Sequence, residues 1–503
     1  MNSRGREHNR KHTVLLSPLA QRFVVKPWSP SIRLYPHFDA PITATEAEKF
    51  AKSPQRVATH KFFPFLKYDE RWTMFAPKGE RGKSKDRPIR FAARLDSCIF
   101  SYYRYLLSEP YEQKLKAEGL DHSVIAYRHI PKARGESGQS NIDFALSAFR
   151  TVQRLGNCCA VALDISSFFE NLDHDRLRSV WADLVGQSRL PSDHYKVFEA
   201  ITRYAFVDVK TAYERLGYFG DKEDRYGNVR KGYLRSRQDI PIQLCNGKQF
   251  REKIAGNGSL PSIIEVNKTG KGVPQGAPLS DLLANAYLLE FDKFIRDVCS
   301  ELGGTYFRYS DDILIVAPIS ASQAIALEER VRNAISVYGA GLLIKEEKSA
   351  IHQFSVTGAR QQVNVVKATG KNGKPALNKP FEYLGFRYDG QSAFIRDKTM
   401  SNLHRKIASI CRATAIRLIK RYQGKSMDEI MALADFEQLY QSFGSVKDFY
   451  EKYHDYRSWT FTTYAKRAVK EMGQLGAPIT KQLRRLRQSI EERLRKEICR
   501  VRA

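Results

Sequence analysis

Residues 307–316 read FRYSDDILIV, and the rest of the chain has to be read around them. Apolar residues flank two adjacent aspartates, Asp311 and Asp312, in a stretch otherwise suited to a β-hairpin. A turn accounts for the pair, because Asp tolerates turn geometry and hydrogen-bonds its own backbone. A metal site accounts for it as well, because a bound cation reverses the usual repulsion between close carboxylates. The choice depends on what the remaining sequence can bring to this hairpin.

Upstream, Cys158 to Leu163 form an unbroken apolar run, as expected of a strand buried on both faces, and the run ends abruptly in Asp164. A helix is predicted over Asn141–Leu155 before it. Asp173 is predicted to cap the next helix, with Leu177, Val180, Trp181 and Leu184 at helical spacing. Residues 271–295 (KGVPQGAPLSDLLANAYLLEFDKFI) read as a Pro/Gly loop opening a long apolar helix, with Pro278 near its first turn. A helix over Ile319–Tyr338 and a second hairpin at FEYLGFRYDG (381–390) follow. The order is therefore an Asp at a strand exit, a Gly-Gln-Pro loop before a helix, and a hairpin bearing Asp-Asp.

The outer regions are plainer. Residues 1–60 read as an arm with a short helix near Thr43–Ala51, and 62–91 as β-like runs around a basic loop (KGERGKSKDRPIR). An aromatic-rich helix is predicted over 92–118, and SVIAYR (123–128) as a strand. Residues 185–270 form a long polar insertion. Beyond Asp397 the chain is predicted wholly helical, and Ile479, Leu483, Leu486, Ile490, Leu494, Ile498 and Val501 share one face of a last helix. That face suits an oligomer seam or a domain core, and the Arg/Lys set around it suits RNA phosphate.

Composition narrows the function classes. The 503 residues are 42% hydrophobic and 11% aromatic, enough for a large core and too apolar for general disorder. A formal charge of +28 exceeds what solubility needs and points to a polyanion. Nucleic acid fits better than a membrane, because the basic residues are spread along the whole chain. No apolar run is long enough to span a bilayer, and the start of the chain is charged, with no apolar signal core. The seven scattered cysteines have no zinc-type spacing and read as reduced core residues, so the expected location is the cytoplasm.

Carboxylates from two separate strands can converge on a pair of Mg²⁺ ions, which prefer oxygen ligands and complete their shells with water and substrate phosphate. In order, DISSFF (164–169), GVPQGAPLSDLLANAYL (272–288), YSDD (309–312), LLIKEEKS (342–349) and FEYLGF (381–386) resemble the palm motifs of reverse transcriptases. The resemblance implies an α+β fold: right-hand polymerase fingers and palm, with an antiparallel sheet and helices, then an all-α C-terminal region. The implied divisions are an N-terminal arm (1–60), fingers (61–163), palm (164–396, with the insertion at about 173–270) and a thumb-like helical region (397–503).

The same resemblance assigns roles. Asp164 and Asp311 become paired ligands of two Mg²⁺ ions (Mn²⁺ as a substitute), with Asp312 the third carboxylate and the Ile165 carbonyl completing one shell. Phe169 becomes the gate beneath the nucleotide sugar, favouring dNTPs, while Phe168 is left as core. Gln275 contacts the incoming nucleotide and Gly276 permits close backbone approach. Arg87, in RPIR, grips the triphosphate, with Lys78, Lys83 and Lys85 as candidate partners. Lys348 matches the general acid toward pyrophosphate, although Lys345 stands where many relatives have Asn. Tyr383, Leu384 and Gly385 match the primer-grip hairpin. Phe169 and Ser310 favour DNA over RNA synthesis.

Within the family, Val356-Thr357-Gly358 resembles retron enzymes, but NAISV stands where their Asn-Ala-x-x-His signature would be, and the insertion is longer than theirs. THKFFPFLKY (59–68), RPIRFAARLDSCIFSYY (87–103) and SVIAYR resemble the bacterial "unknown group" enzymes, relatives of abortive-infection proteins associated with antiphage defence. That branch implies a non-coding RNA partner or template, or protein-primed synthesis with little template use, a DNA product and a homo-oligomer. Tyr450, Tyr453, Tyr456 and Tyr464 are candidate priming hydroxyls. The alternatives are a retron- or group II-like retroelement enzyme, or a catalytically silent RNA-binding scaffold.

Overall fold

The computed structural model describes residues 27–73, 84–132, 138–223, 227–256, 259–370, 373–441, 443–444 and 460–502. Lys78, Lys83, Tyr450, Tyr453 and Tyr456 lie outside these residues, as does the side chain of Lys85. In chain order the strands are β1 (Phe65–Thr73), β2 (Ser84–Phe91), β3 (Cys158–Ser166), β4 (Ala205–Asp208), β5 (Phe219–Glu223), β6 (Val229–Tyr233) and β7 (Glu265–Val266). They continue with β8 (Thr305–Tyr309), β9 (Asp312–Ala317), β10 (Leu343–Ile344), β11 (Ala350–Thr357), β12 (Arg360–Ala368), β13 (Phe381–Tyr383), β14 (Phe386–Tyr388) and β15 (Ala393–Ile395).

The main sheet has the order β12-β11-β3-β9-β8, with β10 also paired to β3, and every pairing in it is antiparallel. Its centre explains the unbroken apolar run. Along β3, Cys159, Val161, Leu163 and Ile165 enter one core, while Cys158 and Ala160 enter another on the opposite face. Strand β9 divides the same way, with Ile313 and Ile315 against Leu314 and Val316. Alternate side chains thus point into two apolar layers, and neither face admits a polar residue until the strand ends. Burying each such aliphatic side chain stabilises the fold by about 1.5–3 kcal/mol. The first core is roofed by the helices Arg94–Ala117, His174–Leu184, Ser280–Tyr287, Leu289–Glu301 and Ala321–Ser336. The second holds the helix Asn141–Leu155, whose predicted ends are those observed, and the sheet β13-β14-β15.

The polar stretch 185–270 is not set apart from the rest. It supplies β4 and β7 to a second sheet of order β2-β1-β4-β7, in which β4 runs parallel to β1.

Three expectations are corrected. SVIAYR is not a strand: only Val124 forms a bridge, parallel to Arg308, and its neighbours bond to a few chosen partners. The helix after Pro278 is two helices, Ser280–Tyr287 and Leu289–Glu301, interrupted at Leu288. The final apolar face is divided between the helices Ala477–Leu483 and Leu486–Arg502. Ile479 and Leu483 pack with the β13–β15 cluster, whereas Leu486, Ile490, Leu494 and Ile498 pack with Leu403, Ile407, Cys411 and Ala415 of the helix Asp397–Arg421. Spacing alone hides this break, because Leu483 and Leu486 are three residues apart and keep the helical period across it. Most of the face is covered by the chain itself. Among the described residues, no helix is long and apolar enough to cross a membrane.

Candidate active site

Strand register brings the carboxylates together. Asp164 lies directly opposite Asp312 in the β3–β9 pair, and the Ile165 N–H donates to the Asp311 carbonyl at 2.9 Å. Tyr309 pairs with Asp312, so Ser310 and Asp311 form a two-residue turn, with Ser310 at φ +60°. The hairpin is therefore as tight as the backbone allows, and it ends where the buried strand β3 ends. Strand β10 pairs Ile344 with Ile165. The short 3₁₀ turn Glu346–Lys348 follows β10 and delivers Lys348 to Asp164, where its ammonium makes an ion pair with Oδ1.

Two of the three carboxyls are held above their ordinary range. Burial, then the charge of Asp164, raises the Asp311 carboxyl above its ordinary range. The Asp312 side chain opens to solvent at the mouth of the cleft, yet crowding by the protein, then Asp311 and Asp164, push it up to about 7, and Arg396 and Lys348 offset this only in part. Asp312, Asp164 and Lys348 share a cavity of about 230 Å³ with Lys379, Leu384 and Arg396.

Among the described residues, no three His, Cys, Asp or Glu side chains stand close enough to hold a metal ion unaided. The donor set nevertheless fits Mg²⁺, which typically uses one or two protein carboxylates and takes water and phosphate oxygens for the remainder. The observation behind that fit is the strand register, which brings the carboxylates of Asp164, Asp311 and Asp312 to one end of the β3–β9 pair.

The other expected residues surround this cleft. Ser167 adopts φ +50°, a left-handed conformation that turns the chain sharply after β3. Beyond it the two phenylalanine rings meet edge to face at 5.7 Å: Phe168 is buried in the core and Phe169 is half-exposed. The Gly272–Gly276 loop docks on this turn, with the Val273 N–H donating to the Phe169 carbonyl at 2.8 Å. Gln275 is half-buried, and its carbonyl accepts from the Arg90 N–H of β2 at 2.9 Å. Arg87 is exposed on the same strand, opposite Glu70 of β1.

Two residues fall differently from expectation. Gly276 has φ +114°, and a Cβ there would lie 2.6 Å from the Arg90 carbonyl, so the backbone it must approach is that of β2. In the β13–β14 turn, Leu384 and Gly385 sit at the tip with φ +45° and +94°, whereas the Tyr383 ring is buried in the second core beside Phe307. Arg396, which no sequence signal marked, lines the cavity and draws Asp312 downward. Tyr464 is half-buried and stacks on Phe386.

A two-residue hairpin thus presents adjacent carboxylates beside the end of a buried strand. Residues 259–388, from the loop before Gln275 through β14, match the family model of reverse transcriptase (RNA-dependent DNA polymerase). Arg87, Asp164, Ile165 and Phe169 lie before the matched residues. Over 160 residues the chain is 30% identical to the Retron Mx162 reverse transcriptase of Myxococcus xanthus, an alignment covering 31% of this chain and 32% of that protein. The chain thus spans about a third of the length of that relative. Among solved structures, apo telomerase from Candida tropicalis aligns with 87% of this chain and 64% of its own at 13% identity and a TM-score of 0.35. Telomerase from Candida albicans in complex with a TWJ fragment of telomeric RNA aligns with 90% of this chain and 67% of its own, again at 13% identity and a TM-score of 0.35.

Proposed function

We propose that the chain is a divalent-cation-dependent, RNA-directed DNA polymerase, and that it acts in bacterial antiphage defence with a non-coding RNA. The observation that carries the polymerase reading is the strand register that brings Asp164, Asp311 and Asp312 together, partly inside a stretch that matches reverse transcriptases. Asp164, Asp311, Asp312 and the Ile165 carbonyl would hold two Mg²⁺ ions, which when bound supply charge neutralisation for the attacking hydroxyl and the departing pyrophosphate. The chain's own residues do the rest. Arg87 binds the triphosphate through its guanidinium fork. Phe169 lies under the sugar and excludes a 2′-hydroxyl, and Gln275 orients the nucleotide. Lys348 delivers a proton toward pyrophosphate, and the Leu384–Gly385 tip holds the primer end. The helix Asp397–Arg421 supports a polyanionic partner. Outside its buried stripe it exposes Arg405, Lys406, Arg412, Arg417, Lys420 and Arg421, with no acidic residue after Asp397.

The test is incorporation of dNTPs by purified protein with Mg²⁺ on a primed RNA template. Asp311→Ala with Asp312→Ala reduces synthesis to background while the melting temperature is kept; unchanged synthesis overturns the reading. Phe169→Ala lowers discrimination against ribonucleotides by roughly 10²-fold, and unaltered discrimination removes the gate assignment.

Defence rests on the resemblance to the "unknown group" branch, and the identity to a retron enzyme favours the second reading, a retron-type reverse transcriptase. Sequencing the nucleic acid that co-purifies with the protein separates them: covalently joined RNA and DNA of one defined sequence supports the retron reading. A wild-type protein that binds RNA but makes no DNA supports a silent scaffold, a role that the existing Lys348–Asp164 ion pair would suit.

A further inference from the structure

The hairpin carrying Asp311 and Asp312 rests on a buried ionic network that none of the roles above uses. Arg308 in β8 and Asp292 on the helix Leu289–Glu301 are both fully buried. Arg308 Nε donates to Asp292 Oδ1 at 2.7 Å and Nη2 donates to Oδ2 at 2.6 Å, a bidentate pair, and the Tyr306 hydroxyl donates to Oδ1 at 2.7 Å. The remaining guanidinium bonds go elsewhere. Nη1 donates to Asn285 Oδ1 at 3.0 Å and to the Ser310 carbonyl at 3.2 Å, and Nη2 donates to the Asn285 carbonyl at 3.2 Å. Every guanidinium N–H therefore has an acceptor, and one acceptor is the first residue of the turn that presents the carboxylates.

The segment Ser123–Tyr127 closes the other side. The Arg308 N–H donates to the Ser123 carbonyl at 2.8 Å, and the Ile125 N–H donates to the Arg308 carbonyl at 3.0 Å. Asn285 Nδ2 donates to the Ala126 carbonyl at 2.7 Å, and the Tyr127 hydroxyl donates to Ser310 Oγ at 3.2 Å. Ser310 itself is buried and held at φ +60°, a conformation that persists in a residue with a side chain only when its surroundings fix it. A buried ion pair is seldom needed for stability, since apolar side chains of similar volume often serve as well. What apolar side chains cannot do is grip a carbonyl from a fixed angle.

We propose that Arg308 is a positioning residue: locked by Asp292 and Asn285, its guanidinium holds the Ser310 carbonyl and so sets the angle at which the turn presents Asp311 and Asp312 to Asp164. The proposal rests on reading these carboxylates as the polymerase site. Misplacing reacting groups by an ångström can slow an enzyme by roughly 10²-fold, so the network's signature is a loss in turnover without a loss in folding.

Two variants test it. Arg308→Met with Asp292→Leu and Tyr306→Phe replaces the network by apolar volume and leaves no charge unpaired. Arg308→Lys keeps the charge against Asp292 but cannot reach Asn285 and Ser310 together. Each is compared with wild type for dNTP turnover and KM, and for amide hydrogen exchange across residues 305–316. The expected result is a melting temperature near that of wild type for the triple variant, kcat lowered by about 10- to 100-fold in both, KM changed by less than about threefold, and faster exchange at Asp311 and Asp312. Wild-type turnover and wild-type exchange in a folded variant overturn the proposal. If the triple variant does not fold, the same readouts on Arg308→Lys decide. If wild-type protein makes no DNA, the polymerase reading fails by itself, and exchange at the turn still decides whether Arg308 fixes it.

Discussion

Asp312 belongs to the hairpin and Asp292 lies behind it, and the two are compensated in opposite ways. Asp292 is fully buried, where an isolated carboxylate could not remain charged; burial pushes its carboxyl up, but two short bonds from Arg308 and one from Tyr306 answer it. Asp312 is far more open to solvent, yet its strongest interactions with charged neighbours are with two other carboxylates, Asp311 and Asp164. The fold evidently can build a complete counter-charge where it is needed, and it does so one residue before Tyr309. In the cleft, by contrast, Asp311 and Asp312 sit beside one another and beside Asp164, an arrangement that the proposed divalent ions would offset.

Neutralising each aspartate in turn gives the largest expected contrast in stability. Asp292→Asn leaves Arg308 buried with half its partner and should destabilise the fold by about 3–5 kcal/mol. Asp312→Asn removes a repelled charge and should leave stability unchanged or raise it by up to about 1 kcal/mol, a small figure because solvent screens an exposed carboxylate. Urea unfolding of both variants without divalent cations checks this. Equal destabilisation by the two would break the contrast.

A second, smaller effect appears with pH. A carboxyl raised to about 7 in the fold binds more protons there than in the unfolded chain over the range from about 4 to 7. Its favourable contribution is thus present at low pH and is lost as pH rises through 7. A cation stabilises the folded state by mass action and needs the ionised form. The melting-temperature gain on adding Mg²⁺ should therefore be small at pH 6 and larger by several degrees at pH 8. A gain independent of pH would count against Asp312 as a ligand.

How much of this the sequence disclosed depended on whether the signal was periodic or spatial. The alternation of β3 and β9 between two cores follows from apolar runs, and the helix Asn141–Leu155 has the ends expected of it. The register that sets Asp164 against Asp312 follows from where two apolar runs stop. Interruptions that keep the period are hidden, such as the ones at Leu288 and between Leu483 and Leu486. Gly276 was legible as a glycine that something must approach, but not that the approach comes from β2. Arg308 left one overlooked trace: it occupies a strand with buried neighbours, where a charge demands a partner, and Asp292 lies one helix earlier. SVIAYR carries a strand-like pattern, but its backbone and side chains are spent on bracing that same strand.

The smallest predicted effect concerns Lys348, the cation paired with Asp164 in the cleft. Lys348 and Asp164 are each about 30% exposed in their ion pair, so Lys348→Met should cost no more than about 1 kcal/mol of stability. Unlike Arg308, a lysine is a single mobile point charge that can leave its carboxylate when a better counter-charge arrives. Its removal frees Asp164 and deepens the negative charge of the cleft, and both changes favour a divalent ion. The Mg²⁺ concentration giving half of the maximal thermal shift should therefore fall in Lys348→Met, even as turnover falls if Lys348 is the proton donor proposed above. Weaker Mg²⁺ binding in this variant would mean that Lys348 organises the carboxylates as Arg308 organises the turn, and the contrast between the two cations would collapse.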